Sequence, residues 1–217
     1  MKVSNSGMQE EFSLPKGAIV LASQSPTRRK MLGAAGICFI ARAAHVDEEG
    51  LRASATASAM PVAEIAVLLA EMKARKVAHD HGYHPSGFVL AADQILFCDN
   101  QIFGKPEDQE MAAKQLRLLS GKTHQLVTAA VIYRDGERIW SHIETPALTM
   151  RLLSNEFIDD YLLAIGDAAL SCPGSYQIEG LGAHLFNSIE GCSYAVLGFP
   201  LLQVLAFLRG HGLVMRG

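Results

Sequence analysis

Apolar runs of strand length alternate with segments of helical periodicity along the first half of the chain. Strands are predicted at residues 18–23, 37–43 and 88–92, where short apolar runs are bounded by polar or turn-forming residues. Helices are predicted at residues 61–79 and 108–119, where apolar side chains recur at helical spacing. Strands that alternate with helices favour an α/β fold with a mixed, twisted sheet flanked by helices.

The second half of the chain predicts antiparallel pairing. Residues 123–133 are rich in valine, isoleucine and threonine, and the Asp135-Gly136 pair predicts a hairpin to a return strand at residues 138–150. Helices are predicted at residues 155–164 and 201–209, behind Ser154 and Pro200 respectively. These elements add antiparallel strands to a sheet that also contains the βαβ pattern of the first half.

Three stretches carry little periodicity and are predicted as irregular. Residues 1–17 are polar and are predicted to form a flexible arm. The charged segment 45–49 and the small residues after it are predicted as loops, and residues 172–182, with four glycines or prolines, as a loop that passes close to another group. No repeat or linker interrupts residues 18–217, which are therefore predicted to form one domain of two lobes with a cleft between them.

Composition and charge narrow the possible partners. A chain of 217 residues with 49% hydrophobic residues can bury a substantial core, and its 19% charged residues fall below the usual value of about 25%, so part of the apolar surface is expected in a subunit interface. The net charge of −3 gives no general attraction for nucleic acid or an anionic membrane. The longest apolar run is shorter than the ~20 residues of a membrane helix, and the first residues lack a signal-peptide core, so a cytoplasmic protein is expected.

Cysteines and histidines do not form a recognisable metal site in the sequence. The four cysteines lie far apart without a C-x-x-C pair, which excludes the usual zinc and disulfide patterns. His79, His81 and His84 follow no standard ligand spacing, and their position after a helix favours interaction with its C-terminal dipole.

The stretch around Asp93 is the first candidate for chemistry. Asp93 follows the apolar run 88–92, a turn is predicted at Asp99-Asn100, and Lys105 follows the returning strand. A carboxylate at the tip of a central strand, with a lysine brought back towards it, would place an acid and a cation in one crevice. The alternative is a strand cap and a surface lysine.

Residues 23–29 are a candidate anion site. Ser25 is a good N-cap and Pro26 suits the first position of a helix that is predicted to continue to residue 35. Backbone N–H groups at a helix start attract an anion, and Ser23 and Arg28 add further donors. A routine helix cap followed by solvated arginines is the alternative interpretation.

Two carboxylates form a candidate metal site. Glu48, within the predicted loop, and Asp93 could together hold Mg²⁺ or Mn²⁺ against a polyphosphate, because these ions need only one or two protein carboxylates. A solvated acidic loop is the simpler alternative. Lys73 lies inside a predicted helix, and its residue type alone predicts a surface position.

Eight short motifs in a fixed order resemble those of the Maf family, the septum formation inhibitor-like proteins. The similarity extends over residues 19–208, nearly the whole chain. The motifs are LASQSPTR at 21–28, VDE at 46–48, LAEMKA at 69–74, AADQ at 91–94, GKP at 104–106, LSGKTHQLVT at 119–128, GSYQIEGLG at 174–182 and VLGFPL at 196–201.

The resemblance implies a metal-dependent nucleoside triphosphate pyrophosphatase, which cleaves between the α- and β-phosphates. It implies a two-lobed α/β fold with a nucleotide cleft, a divalent cation such as Mg²⁺, Mn²⁺ or Co²⁺, and a homodimer. Asp93 matches the family's proton acceptor or metal-bound carboxylate, and Glu48 its second acid. The phosphate-contacting residues of the family are matched by Ser23, Arg28, Lys73 and Lys105, with Ser25 in the same motif. A non-catalytic nucleotide-binding regulator of division and a general phosphatase are the alternatives.

The base that is recognised is predicted from three positions. The branch that resembles dTTP/UTP pyrophosphatases has arginine, threonine and glutamine where this chain has Thr27, Gln94 and Glu179. Gln94 and Glu179 resemble the 7-methyl-GTP pyrophosphatase branch, whereas Thr27 replaces that branch's tryptophan. The residues therefore predict 7-methyl-GTP or a related modified purine nucleotide, with dTTP or UTP as the alternative.

Overall fold

The computed structural model describes residues 18–79 and 87–214. The predicted arm at residues 1–17 lies outside these ranges, as do His81 and His84. Within the described ranges, no helix is long and apolar enough to cross a membrane.

Eight strands and seven α-helices form the described part of the chain. The strands are β1 (Ile19–Ala22), β2 (Phe39–Arg42), β3 (Phe88–Cys98), β4 (Gln101–Phe103), β5 (Thr123–Arg134), β6 (Glu137–Glu144), β7 (Ala147–Met150) and β8 (Phe186–Glu190). The helices are α1 (Pro26–Ala34), α2 (Glu48–Ala57), α3 (Val62–Ala78), α4 (Gln109–Leu119), α5 (Asn155–Ile165), α6 (Ser193–Val196) and α7 (Leu201–Gly210), with short 3₁₀ helices at Gly166–Ser171, Pro173–Ser175 and Leu181–Leu185.

The strands form one mixed sheet with the order β2-β1-β3-β5-β7-β8. Strand β1 pairs in parallel with β2 and β3, whereas β3 with β5, β5 with β7 and β7 with β8 are antiparallel. Strands β4 and β6 pair outside this path, with β3 and β5 respectively. The prediction of a mixed α/β sheet flanked by helices is confirmed, and β3 lies at its centre.

Helices cover both faces of the central strands. On one face, Ala70 and Ala74 of α3 pack in the same cluster as Val89 of β3. On the other face, Leu32 of α1 and Val204 of α7 share a cluster with Leu90 of β3, Ala92 and Ile132. Successive residues of a strand point to opposite faces, which explains why residues 88–92 are apolar throughout rather than alternating. A third cluster joins α4 and α5 beyond the far end of β3.

The predicted caps at Ser25 and Ser154 are confirmed, and Asp108, predicted only as the first residue of its helix, is a third cap. The side chains of Ser25, Asp108 and Ser154 accept hydrogen bonds from the backbone N–H groups of residues 28, 111 and 157 at the starts of α1, α4 and α5. Each oxygen satisfies an N–H group that has no partner within the helix.

Other predictions of secondary structure are wrong. Helix α2 occupies the stretch that was predicted as loop, because Asp47 caps it and Ala55 is buried among residues that include Ile65 and Leu69 of α3. The return strand predicted at 138–150 is broken into β6 and β7 at Pro146, which lacks an N–H group. Strand β8 and helix α6 were not predicted, and the predicted loop at residues 172–182 contains 3₁₀ turns.

Candidate active site

A cleft of about 1660 Å³ contains every residue that the sequence singled out for binding or chemistry. It is lined by the β1–α1 turn, the start of α2, one face of α3, the middle of β3, the segment after β4, and residues 171–179. The predicted residues that line it are Ser23, Ser25, Thr27, Arg28, Glu48, Lys73, Asp93, Gln94, Lys105 and Glu179. Ten residues from distant parts of the chain are thus brought to one surface.

Lys73 lies between two carboxylates in this cleft. Its Nζ is 2.6 Å from Oδ1 of Asp93 and 2.9 Å from Oε2 of Glu48. Lys73 and Asp93 are buried, whereas the Glu48 side chain is partly exposed. The prediction of a surface position for Lys73 is wrong, because its helix turns this side chain towards β3 and a buried carboxylate compensates its charge.

Asp93 lies in the middle of β3 and not at its tip. It pairs in register with Ala129 of β5, and the strand continues to Cys98. Burial raises the pKa of Asp93, while the nearby charges of Lys73 and Arg28 act in the opposite direction. A carboxylate whose pKa burial raises is a better proton acceptor near neutral pH than an exposed aspartate.

The turn from β1 into α1 is held together by its own side chains. The Ser23 Oγ accepts a hydrogen bond from the backbone N–H of Ser25 at 3.2 Å, and the Ser25 Oγ accepts from the backbone N–H of Arg28 at 3.4 Å. Arg29 donates to the Ser23 carbonyl at 3.1 Å. These contacts fix the start of α1 at the cleft, where its dipole favours an anion.

Arg28 is anchored on one side of its guanidinium. Its Nε donates to the Gly198 carbonyl and its Nη1 to the Ala92 carbonyl, both at 2.8 Å. Among the described residues, no hydrogen bond involves Nη2, so two N–H groups remain for a ligand. Burial lowers the pKa of Arg28 while Asp93 and Glu48 oppose this change, and an arginine remains charged at neutral pH.

Gln94 lies on the other face of β3 and is held in one orientation. Its Nε2 donates to the carbonyls of Ala195 and Val196 at 2.9 and 3.1 Å, and to Oγ1 of Thr128 at 2.9 Å. Because backbone carbonyls only accept, the nitrogen of the amide must face them. The Oε1 atom makes no hydrogen bond to another described residue and is therefore left as an acceptor beside the cleft.

Glu179 is exposed in a tightly folded loop at another edge of the cleft. A Cβ on Gly182 would lie 2.5 Å from the Gln177 carbonyl oxygen, so the chain closes on itself here. Tyr176 anchors the loop, with its hydroxyl 2.7 Å from Nε2 of the buried His124. Burial lowers the pKa of His124 to about 4, so this ring is neutral at neutral pH.

Lys105 and Thr27 line the cleft without strong protein partners. Lys105 is exposed and forms no ion pair within the described part of the chain. The sequence suggested Lys105 as the cation returned towards Asp93, but the structure gives that contact to Lys73. Thr27 lies in the first turn of α1 and is partly exposed.

The carboxylates fit a small divalent cation. Among the described residues, no group of three or more histidine, cysteine, aspartate or glutamate side chains forms a metal cluster. Glu48 and Asp93 contact the same ammonium nitrogen, that of Lys73, so the oxygens of both carboxylates lie close to one cationic group. Two hard oxygen donors suit Mg²⁺ or Mn²⁺, which take their remaining ligands from water and phosphate.

Three supporting residues were not singled out from the sequence. Gln115, His124 and Thr128 are buried polar residues that hold the walls of the cleft through hydrogen bonds. The last two lie within the motif LSGKTHQLVT, but the motif does not show which side chains face the cleft. The hydrogen-bond partners of His124 and Thr128 lie 34 to 67 residues away in the sequence.

The fold and the cleft define an α/β protein with a charged site suited to a phosphate-bearing ligand. A family model described as Maf-like protein matches residues 18–211. The chain therefore belongs to the Maf family, and the resemblance of its motifs is confirmed.

Related proteins align with the chain over nearly its whole length. A Hyphomonas neptunium protein named nucleoside triphosphate pyrophosphatase is 47% identical over 192 residues, covering 88% of this chain and 95% of that protein. A protein of the same name from Paramagnetospirillum magneticum is 46% identical over 193 residues, covering 89% and 98%. A Rhizobium meliloti protein named 7-methyl-GTP pyrophosphatase is 42% identical over 199 residues, covering 92% and 98%.

Proposed function

We propose that this chain is a metal-dependent nucleoside triphosphate pyrophosphatase that acts on 7-methyl-GTP or another modified purine nucleotide. The observation that carries the proposal is the contact of Lys73 with both Asp93 and Glu48 in a cleft that also contains Arg28. The names of the related proteins support hydrolysis of an acid anhydride in a nucleotide.

Asp93 is the proton acceptor in this proposal. Its Oδ1 accepts a hydrogen bond from the Lys73 ammonium, which leaves Oδ2 to accept one from a water molecule. The water oxygen forms a bond to the α-phosphorus as the bond to the oxygen that bridges the β-phosphate breaks, and the water proton passes to Asp93. The products are a nucleoside monophosphate and pyrophosphate, and Lys73 keeps the carboxylate oriented towards the water.

Three cationic side chains bind the triphosphate. Arg28 offers its Nη2, Lys105 is exposed at the cleft, and Lys73 lies beside the acceptor carboxylate. Negative charge grows on the pyrophosphate as it leaves, so fixed positive donors lower the barrier. Because Arg28 is already held by two carbonyls, little ordering is needed when the phosphate binds.

Asp93 and Glu48 would hold the divalent cation. When bound, Mg²⁺, Mn²⁺ or Co²⁺ neutralises phosphate charge and fixes the triphosphate against the protein. Glu48 is the more accessible of the two carboxylates and lies in the first turn of α2.

Hydrogen-bond acceptors on Gln94 and Glu179 select the base. Gln94 presents Oε1 and Glu179 a carboxylate at the cleft, whereas a guanine edge offers N–H donors at N1 and N2. A carboxylate also favours the positive charge of a 7-methylated ring. Uracil and thymine offer one ring N–H between two carbonyls, which would face these acceptors unfavourably.

A nucleotide panel tests the reaction. The wild-type protein should release pyrophosphate, and not orthophosphate, from a preferred nucleotide in the presence of Mg²⁺, Mn²⁺ or Co²⁺. Asp93→Asn should lower kcat by at least about a hundredfold, the usual effect of losing a general base. Asp99→Asn, an exposed change of the same kind on the turn after β3, is the control. Orthophosphate as the first product, or a near-normal rate for Asp93→Asn, would refute the mechanism.

The substitution Glu179→Gln tests base selection. We expect the ratio of kcat/KM for 7-methyl-GTP to that for UTP to fall by about tenfold, because one charge-assisted contact is lost. Glu107→Gln removes the same charge from another exposed position of the same cleft and should leave the ratio unchanged. Equal ratios for all three proteins would count against base recognition by Glu179.

A further inference from the structure

We propose that Gln115 is a positioning residue that sets the distance between the phosphate-binding and base-selecting walls of the cleft. Gln115 lies on α4 and is only 6% exposed. Both hydrogen bonds of its side-chain amide go to backbone atoms, one on each wall. This inference rests on the proposed function, since it assigns Lys105 to phosphate and Glu179 to the base.

The two ends of the Gln115 amide hold two different segments. Its Nε2 donates to the Gly104 carbonyl at 2.9 Å, and Gly104 immediately precedes Lys105. Its Oε1 accepts from the Gly174 N–H at 2.8 Å, at the start of the loop that carries Glu179. One planar amide thus spans the gap between the segments, and its donor and acceptor cannot be exchanged without breaking both contacts.

The surroundings of Gln115 favour an apolar residue on packing grounds alone. Its neighbours on α4 include the fully buried Ala112 and Leu116, and the helix belongs to an apolar cluster. Burying an amide there is unfavourable unless both of its ends are paired. The paired amide of Gln115 therefore indicates that its role is to hold the backbone at Gly104 and Gly174, in addition to filling the core.

Glycine at residue 174 allows the loop to pack closely against Leu96 and Tyr176. Gly174 has a φ angle of +77°, and a Cβ there would lie 2.6 Å from Cδ1 of Leu96 and 2.7 Å from Cε1 of Tyr176. Gly174 is buried, and Gln115 supplies the acceptor for its backbone N–H. Loss of that acceptor would leave a buried donor unpaired, which the loop can avoid only by moving.

Two substitutions separate positioning from simple stability. Gln115→Met keeps the approximate volume and removes both hydrogen bonds, so kcat/KM for 7-methyl-GTP should fall about tenfold and the preference over UTP should narrow. Gln115→Glu keeps an acceptor for the Gly174 N–H but replaces the donor to the Gly104 carbonyl by an oxygen, so the preference over UTP should narrow in this variant as well. Gln109→Met removes a hydrogen bond from an exposed glutamine of α4 to the Gly166 carbonyl and is the matched control.

Hydrogen–deuterium exchange of the same proteins gives a readout without activity. A peptide that contains residue 174 should exchange faster in Gln115→Met than in the wild type, and at the wild-type rate in Gln115→Glu and Gln109→Met. If the wild type hydrolyses no nucleotide, the proposed function fails, but the exchange measurement still tests whether Gln115 holds the two segments in place. If Gln115→Met is less stable but keeps its nucleotide preference and its exchange at residue 174, Gln115 is only structural and the proposal is overturned.

Discussion

Two lysine–aspartate pairs of this chain differ in burial and in the second carboxylate, Glu48, that Lys73 also contacts, and their comparison gives a controlled prediction. Lys73 lies 2.6 Å from Asp93, with side chains that are 9% and 8% exposed. Lys122 lies 2.8 Å from Asp99, with side chains that are 44% and 66% exposed. The substitutions Lys73→Met and Lys122→Met remove the same ammonium group from nearly the same distance.

The expected destabilisation differs severalfold between the two variants. An exposed pair such as Lys122–Asp99 contributes little to the free energy of unfolding, because water and salt screen it. Removing one partner of a buried pair costs about 3–5 kcal/mol, since the other charge is left in a poorly solvated site. The charge of Arg28 still favours the Asp93 carboxylate, so we expect about 3 kcal/mol for Lys73→Met.

The pH dependence gives an independent check. Without Lys73, the folded-state pKa of Asp93 rises further, so the folded variant takes up a proton that the unfolded chain releases. The destabilisation of Lys73→Met should therefore be smaller at about pH 5 than at about pH 8. Lys122→Met leaves a solvated carboxylate and should show little of this difference.

Urea unfolding followed by circular dichroism measures both effects. The free energy of unfolding is compared for the wild type and the two variants at each pH. If Lys73→Met lowers the free energy of unfolding at about pH 8 by no more than Lys122→Met does, burial does not control how strongly the pair stabilises the fold. If Lys73→Met loses the same stability at both pH values, the Asp93 carboxylate is not the charge that is left without a partner.

Two further predictions concern the loop that carries Glu179. His124 has a pKa lowered by burial from 6.5 to about 4, so the unfolded chain binds more protons between these values and stability is lost as the pH falls through them. His124→Gln should reduce by up to about 3 kcal/mol the stability that is lost on acidification, as measured by urea unfolding at successive pH values. If the free energy of unfolding depends on pH in the same way in the variant and the wild type, His124 is not the residue responsible. Gly182→Ala should cost about 1–3 kcal/mol and lower the preference for 7-methyl-GTP, because the new Cβ would meet the Gln177 carbonyl. Gly33→Ala, inside α1 with open space around it, is the control and should leave stability unchanged or raise it. If both variants change the melting temperature equally, the Cβ of Gly182→Ala does not clash with the Gln177 carbonyl.

Features that depend on nearby residues could be predicted from the sequence. The caps at Ser25, Asp108 and Ser154 each act on an N–H group three residues away, so the chain itself contains both partners. The hairpin at Asp99-Asn100 is also local, and both residues have positive φ angles that aspartate and asparagine tolerate.

Features that depend on distant partners could not be predicted in this way. Helix α2 contains glycine, serine and threonine residues with low helix propensity, and its contact with α3 stabilises it. The apolar run 88–92 predicts a strand that ends at Asp93, whereas the strand continues because the buried carboxylate is paired. Its partner, Lys73, comes from a helix 20 residues earlier, and residue types alone do not show that these side chains meet.

The position of Asp93 and Gln94 on neighbouring residues of β3 limits how this protein can diverge. The two side chains point to opposite faces, one towards Lys73 and the other towards Ala195 and Val196. A single inserted or deleted residue before them would exchange the faces and so remove the proposed roles of both side chains together. Changes of chain length are therefore expected in the loops, and under the proposed function a new substrate preference would arise by substitution at residue 27, at residue 94 or within residues 172–182.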